Sequence, residues 1–439
     1  MKRTSRILPT LSLATAAVLM AVSLAGCAQQ AAPVSSPAAI PGDNSAPAEK
    51  ITLKFANFSA SGDNEQYLKQ MIAAFNEQSP NVTIEQQTIA YADYFDQMMA
   101  KVSAGQAPDV FELNFENFCS YAKKGVLFGL DDTITNAGFD TSKYNDMALK
   151  AFQTDGKQYG VPNSFSNVLL FYNKDLFDKA NVAYPTNDWT WKDQLEAAKT
   201  IRALDKNTFG MMQPITFNEL FKRVKQNGGS LFSEDMKSFT INTKENIETV
   251  QYLVDALNKD NVIPTEEQLA GAGDWDLFKS GRLGMILTGV WAIPDFTNNC
   301  EFEWDIALEP GNTAKATHFF SNAYVLSKDT KNPDAAFDFV SYLTTGEKPV
   351  QIRLDAGWEL PPVSDQKVLD AYKAKTPPSN RQAVFDSLSY LVTPPVIEDY
   401  QKLQDIVNTH LAKAATGKVT VEAAMNDCQK ELTDTIKLS

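Results

Sequence analysis

Histidine is almost missing from this chain: only His318 and His410 occur. Neither stands in a His-Glu-x-x-His pattern, so a helical zinc-hydrolase site is unsupported. No Gly-x-x-x-x-Gly-Lys-Ser/Thr loop is present to cradle a nucleoside triphosphate, and no Gly-x-Ser-x-Gly turn to raise a serine nucleophile. Gly281-Arg282-Leu283-Gly284 is a glycine pair without phosphate-cradle spacing. Carboxylate pairs such as Asp274 with Asp276 are ordinary in an acidic chain. The two carboxylates of a glycosidase are defined by their separation across a cleft, which a sequence does not display. Lysine and arginine (40) are outnumbered by aspartate and glutamate (54), for a formal net charge of −14. A surface of that sign repels nucleic acid and anionic lipid, so neither is an expected partner. The chain is thus expected not to be an enzyme and to need no cofactor or metal.

Long apolar runs are also missing, apart from one near the start. Met1-Lys2-Arg3-Thr4-Ser5-Arg6 precedes an apolar stretch from Ile7 to Leu24 that Pro9, Thr10, Ser12, Thr15 and Ser23 interrupt. It is too short and too broken for a comfortable membrane span. A positive start, a compact apolar stretch and small residues describe a secretory signal. Because the stretch ends Leu24-Ala25-Gly26-Cys27, it resembles a bacterial lipoprotein signal, whose cysteine is lipid-modified and becomes the new N-terminus. The resemblance implies a signal peptide over 1–26, lipidation at Cys27, and an extracytoplasmic protein anchored to the cell membrane by that lipid alone. An ordinary signal with an incidental cysteine is the alternative. Residues 28–50 are rich in Ala, Pro, Ser and Gln and contain no aromatic residue. Such a segment buries too little apolar surface to offset the entropy of ordering it. It reads as a leash of roughly 25 Å by random-coil scaling. Of the four cysteines, Cys119, Cys300 and Cys428 remain, with no zinc-binding spacing. One disulfide plus a free thiol fits, and so do three buried free thiols, the reading preferred.

Folding is expected to begin at Ile51, where Ile-Thr-Leu-Lys-Phe alternates as a strand does. The stretch Glu65 to Gln78 places Tyr67, Leu68, Met71, Ile72 and Phe75 on one helical face, and Pro80 follows it. Val82-Thr-Ile-Glu reads as a second strand. Tyr91 to Ala104 reads as a second helix, with Phe95, Met98, Met99 and Val102 as its apolar face. Asp109-Val-Phe-Glu-Leu reads as a third strand. This alternation predicts an α/β domain with a largely parallel sheet. The chain beyond the leash is long enough for two domains.

Several fragments, in this order and spacing, are similar to the extracellular solute-binding proteins of sugar-importing ABC transporters, the relatives of maltose-binding protein. They are Phe75-Asn76-Glu77 with Pro80-Asn81-Val82-Thr83-Ile84, Tyr91 with Tyr94, and Ala104-Gly105-Gln106-Ala107-Pro108-Asp109-Val110. Next come Gly125-Val126-Leu127 before Leu130-Asp131-Asp132, then Gln158-Tyr159-Gly160-Val161-Pro162, then Leu170-Phe171-Tyr172-Asn173-Lys174. Later come Phe278 to Met285, Thr288-Gly289-Val290-Trp291-Ala292, and Asn332-Pro333-Asp334-Ala335-Ala336-Phe337. Asn163 and Leu169 depart from the family's usual apolar and small residues.

The resemblance implies a two-lobed periplasmic-binding-protein fold of the type II kind. Each lobe would be a mostly parallel sheet flanked by helices, with a ligand cleft between. Lobe one is expected at 51–162 plus 309–354 and lobe two at 163–308 plus 355–439. It also implies capture of a carbohydrate, in particular an oligosaccharide, by a monomer that delivers it to the permease subunits of an ABC importer. A sugar offers an apolar face to aromatic rings and a girdle of hydroxyls to Asp, Glu, Asn and Gln. With ligand expected at strand carboxyl ends, the candidates are Phe58, Asp63 and Glu65 after the first strand, and Asn114 and Phe115 after the third. Asn163 and Phe165 follow the first crossing, and Asn322 and Tyr324 the second. Trp291 follows a glycine turn where the family places an aromatic platform, and Trp358 with Glu359 lies in a late loop that borders the cleft in relatives. Asp63 or Asn64 could instead cap a helix. Trp189, Trp191, Trp275 and Trp304 are expected to pack in cores, and Tyr172 to be structural. Rival readings are the same fold holding another solute such as a polyamine, a secreted glycoside hydrolase, and a lipoprotein presenting a surface to a sensor or host.

Overall fold

The computed structural model describes residues 49–62, 64–395 and 397–438. Cys27 and Asp63 therefore lie outside the described residues, as do the signal and most of the leash. The opening strand β1 (Ile51–Asn57) leads into α1 (Asn64–Gln78), whose buried face is Leu68, Met71, Ile72, Ala74 and Phe75. Next come β2 (Val82–Thr88), α2 (Tyr91–Ser103) and β3 (Val110–Asn114). The helix α3 (Phe115–Lys123) starts with no intervening loop, because the Asn114 side chain caps it by accepting from the Asn117 amide at 3.2 Å.

A pair of strands follows in close succession, β4 (Gly160–Ser166) and β5 (Val168–Asn173). Every residue of β5 is buried, as a central strand covered on both faces requires. The second half of the chain contributes α4 (Trp191–Arg202), β6 (Phe209–Met212), α5 (Phe217–Gln226), α6 (Asp274–Lys279), β7 (Leu283–Gly289), α7 (Ile293–Asn299) and β8 (Trp304–Ala307). It ends with β9 (Phe320–Leu326), α8 (Pro333–Thr345), α9 (Glu347–Ala356), α10 (Tyr400–Ala415) and α11 (Val421–Thr435).

The two larger sheets run in the orders β2-β1-β3-β9-β4 and β8-β5-β7-β6. In the first, β1 runs parallel to β2 and β3, while β9 is antiparallel to both its neighbours. In the second, β6 is parallel to β7, and β5 is antiparallel to β7 and β8. Each sheet is thus mostly parallel with one reversed strand. The chain passes from the first sheet to the second at Asn167, a few residues beyond Asn163. Asn163 itself lies inside β4. Asn167 is fully buried, and its Nδ2 donates to the Val384 carbonyl and to Ser387 Oγ, both at 2.8 Å. The return path ends at β9. Trp358 belongs to the apolar cluster around β1, α1 and α8.

Cys119, Cys300 and Cys428 are free thiols; the first and last are buried and Cys300 is half-buried. Among the described residues, no helix is long and apolar enough to cross a membrane.

Candidate functional site

A cavity of about 770 Å3 opens where the ends of both sheets converge. This is a volume typical of small-molecule sites. Its floor comes from the carboxyl edge of the first sheet. Phe58 and Ser59 follow β1, Asn114 closes β3, and Ser166 closes β4. Phe320 and Asn322 reach the same edge from β9, because a reversed strand brings its N-terminal residues where its neighbours bring their C-terminal ones. The register is direct: Asn322 stands opposite Asn114 and Phe320 opposite Ser166. Ser61, Gly62, Asn64 and Tyr67 complete that side from the start of α1, and Tyr91 stands at the start of α2. The facing wall is Asn218 on α5, Trp275 on α6, Trp291 after β7, Pro294, Asp295 and Asn298 on α7, Ala356 at the end of α9, and Trp358 and Glu359 after it.

Aromatic surface dominates the lining. Trp291 is half-buried, with its ring edge-on to Phe320 at 4.9 Å. Behind it, Phe320 is stacked on His318 at 3.5 Å, and His318 is packed against Phe221 at 4.6 Å. The platform is therefore backed by a ladder of rings. Gly289 makes its orientation workable: a Cβ there would overlap the six-membered ring of Trp291. Trp275 is held from behind by Phe296 at 5.5 Å, and its indole N–H donates to Thr288 Oγ1 at 3.3 Å.

The polar groups around the cavity are mostly neutral amides and hydroxyls. Asp295 is paired with Lys279 at 3.0 Å. Glu359 is 7% exposed, and one of its carboxyl oxygens has no hydrogen-bond partner. Burial pushes its carboxyl above the ordinary value, against the opposing pull of the Arg353 charge. Arg353 is buried behind Trp358, its guanidinium 4.3 Å from that ring's centroid. Among the described residues, no group of three or more His, Cys, Asp or Glu is placed to hold a metal ion.

Of the residues singled out from sequence, Phe58, Asn114, Trp291, Asn322, Trp358 and Glu359 line this cavity. Others do not. Asn163 falls at a register shift between β9 and β4, and its amide turns inward to donate to Glu112 Oε1 at 2.7 Å. The other Glu112 oxygen accepts from the Phe58 and Ser59 amides at 3.0 Å each, so Asn163 shapes the loop without lining the cavity. Phe115 and Phe165 both pack on Phe319, at 5.5 and 5.8 Å, beneath the floor. Glu65 pairs with Lys69 at 2.6 Å along α1 and does not line the cavity. Tyr324 is core, 5.2 Å from Phe55. Conversely, Trp275, expected in a core, lines the cavity. Tyr67, Tyr91 and Phe320 also line it without having been singled out.

The sequence profile of the bacterial extracellular solute-binding proteins matches residues 59–347. The chain belongs to that family. An ABC substrate-binding protein of Listeria monocytogenes, solved in complex with cycloalternan, is 43% identical; the match covers 88% of this chain and 99% of that one with a TM-score of 0.85. The arabinooligosaccharide-binding protein of Bacillus subtilis is 23% identical over 345 residues, 75% of each chain. The cyclic α-maltosyl-1,6-maltose binding protein of Arthrobacter globiformis shares the fold, at 21% identity and a TM-score of 0.69 over 88% of this chain and 98% of that one. The solute-binding protein described here is therefore two-lobed and extracytoplasmic.

Proposed function

We propose that this solute-binding protein is the carbohydrate-capturing component of an ABC importer, tethered by a lipid on Cys27 and acting as a monomer. An oligosaccharide enters between the open lobes, stacks on Trp291 and Trp275, and gives its hydroxyls to Asn114, Asn218, Asn298, Asn322 and Glu359. Closure about the crossing segments traps it. The closed form docks on the permease subunits, which strip the ligand out. Closure requires only that the ligand prefer the closed state. Because the ligand must be released again, an affinity near micromolar, about −8 kcal/mol, suits the task.

The single observation that supports this reading most is the lining. Phe58, Tyr67, Tyr91, Trp275, Trp291, Phe320 and Trp358 surround one cavity together with five asparagines. Ring faces and amides in that mixture match a sugar's apolar faces and hydroxyl girdle. The 43% identity to a protein holding cycloalternan supports an oligosaccharide over a monosaccharide. A polyamine would want several unpaired carboxylates facing the aromatics, whereas of the two that line this cavity Asp295 is engaged by Lys279, which leaves Glu359. The test is a thermal-shift panel of cycloalternan, malto-oligosaccharides, arabino-oligosaccharides, monosaccharides and spermidine. A ligand at about 100 times its Kd adds roughly 2.7 kcal/mol to stability. A clear rise in Tm with an oligosaccharide is expected. A rise with spermidine alone, or with none of the sugars, would remove the reading.

A further inference from the structure

The ligand space extends beyond the main cavity. A polar recess of about 250 Å3 adjoins it, sharing Tyr91, Asn114 and Asn218 as common walls. The recess lies between α2, α3 and α10, and its wall includes Asp96, Glu116 and Asp405. Among the described residues, no lysine, arginine or histidine lines either space.

Two buried carboxylates border the ligand space, Glu116 in the recess and Glu359 in the main cavity. Glu116 is 3% exposed; one oxygen lies 3.2 Å from His318 Nε2 and the other has no partner. Glu359 is 7% exposed, with one oxygen likewise unpartnered, and it is in no ion pair among the described residues. A buried acceptor without a donor is costly to leave unmet. What meets it must bring an N–H or O–H.

We infer that the cleft is built for uncharged, hydroxyl-rich sugars and refuses those bearing a carboxylate or phosphate, with Glu359 as the residue that sets the refusal. This rests on the carbohydrate reading above. A sugar hydroxyl donates to the free oxygens of Glu116 and Glu359. A uronate or a phosphate brings no proton to that position, and its charge loses its water with no cation among the described lining residues to receive it. Arg353 does not supply one, since it is buried against Trp358 and does not line the cavity. Specificity here works by repulsion of the wrong ligand as much as by contact with the right one.

The test is calorimetric titration of the mature chain. The neutral probe is cycloalternan, or the oligosaccharide that stabilises the chain most in the panel. The acidic probe is the same sugar with primary alcohols oxidised to carboxylates. The wild type should bind the acidic probe about 100-fold more weakly than the neutral one, and Glu359→Gln should narrow that gap about tenfold. A merely structural role for Glu359 would weaken both probes together and leave their ratio unchanged, which overturns the assignment to that residue. An acidic probe bound by the wild type within about threefold of the neutral one overturns the inference whether or not the variant folds. If no neutral sugar binds, the carbohydrate reading itself falls, a result distinct from either.

Discussion

Gly289 shows how a missing side chain places a functional one. Its φ of −81° is open to any residue, so the reason for glycine is steric: the Trp291 ring occupies the space of a Cβ. Gly289→Ala should displace the indole and weaken ligand binding by roughly tenfold while the fold persists, since buried aromatic anchors carry much of a site's binding energy. Titration calorimetry reads the affinity and circular dichroism the fold; an unchanged affinity would contradict this role. Glu359 carries a pH signature. Burial raises its carboxyl pKa above the ordinary 4.5, so the folded state holds the proton more tightly than the unfolded one. Stability from this group is present below pH 4.5 and is lost as pH rises through the folded pKa. Glu359→Gln removes the loss. Its Tm relative to wild type should be flat below about pH 4.5 and rise above it. A difference that is constant across pH would contradict the burial argument.

Residue by residue, what was legible followed the strand-end rule. Phe58 and Asn114 were found because they sit just past β1 and β3, and Trp291 because a glycine turn follows β7. The rule misled at Phe115, because Asn114 caps α3 at once and turns the next residue under the floor. It misled at Asn163, because a register shift diverts that side chain to Glu112. Trp275 precedes its strand, so no strand-end rule reaches it. Phe320 was missed because no local pattern marks β9 as reversed.

Among the elements, α5 is the one whose chemistry is least visible from its apolar pattern. Lys222 and Arg223 are wholly buried. Lys222 Nζ lies 3.0 Å from both Glu219 and Glu309, and Arg223 Nη1 donates to Gln226 Oε1 at 3.0 Å. Gln226 in turn donates to Glu309 Oε1 at 3.0 Å and to the Ala316 carbonyl at 2.7 Å. Glu309 and Ala316 belong to the segment that carries the chain from β8 back to β9. The cluster ties α5 to that crossing segment. Removing one partner of a buried pair strands the other, so Lys222→Met should lower stability by about 3–5 kcal/mol in urea unfolding. A loss under about 1 kcal/mol would mean that the pair is dispensable. The strands tell a similar story. Alternation of strand and helix indicated the parallel pairs of β1 with β2 and β3, whereas β5 and β9 run opposite because each is entered from the other sheet.

The described residues form a pair of α/β lobes with a ring-lined cavity where their sheet edges meet, an arrangement that suits a trap. The family resemblance announced both lobes and the cleft. The first passage between the sheets lies at Asn167, because β4 keeps its pairing with β9 through Ser166. If closure accompanies capture, small-angle scattering should record a smaller radius of gyration once the ligand is added. An unchanged radius at saturation would mean that the sugar binds without closing the lobes.

The most direct measurement is a paired calorimetric titration of wild type and Trp291→Ala with cycloalternan and the malto-oligosaccharides. The account predicts saturable binding near the micromolar range to the wild type, and a loss of about 2 kcal/mol in the variant with its unliganded Tm little changed. Equal affinity of both proteins for the same sugar would contradict it.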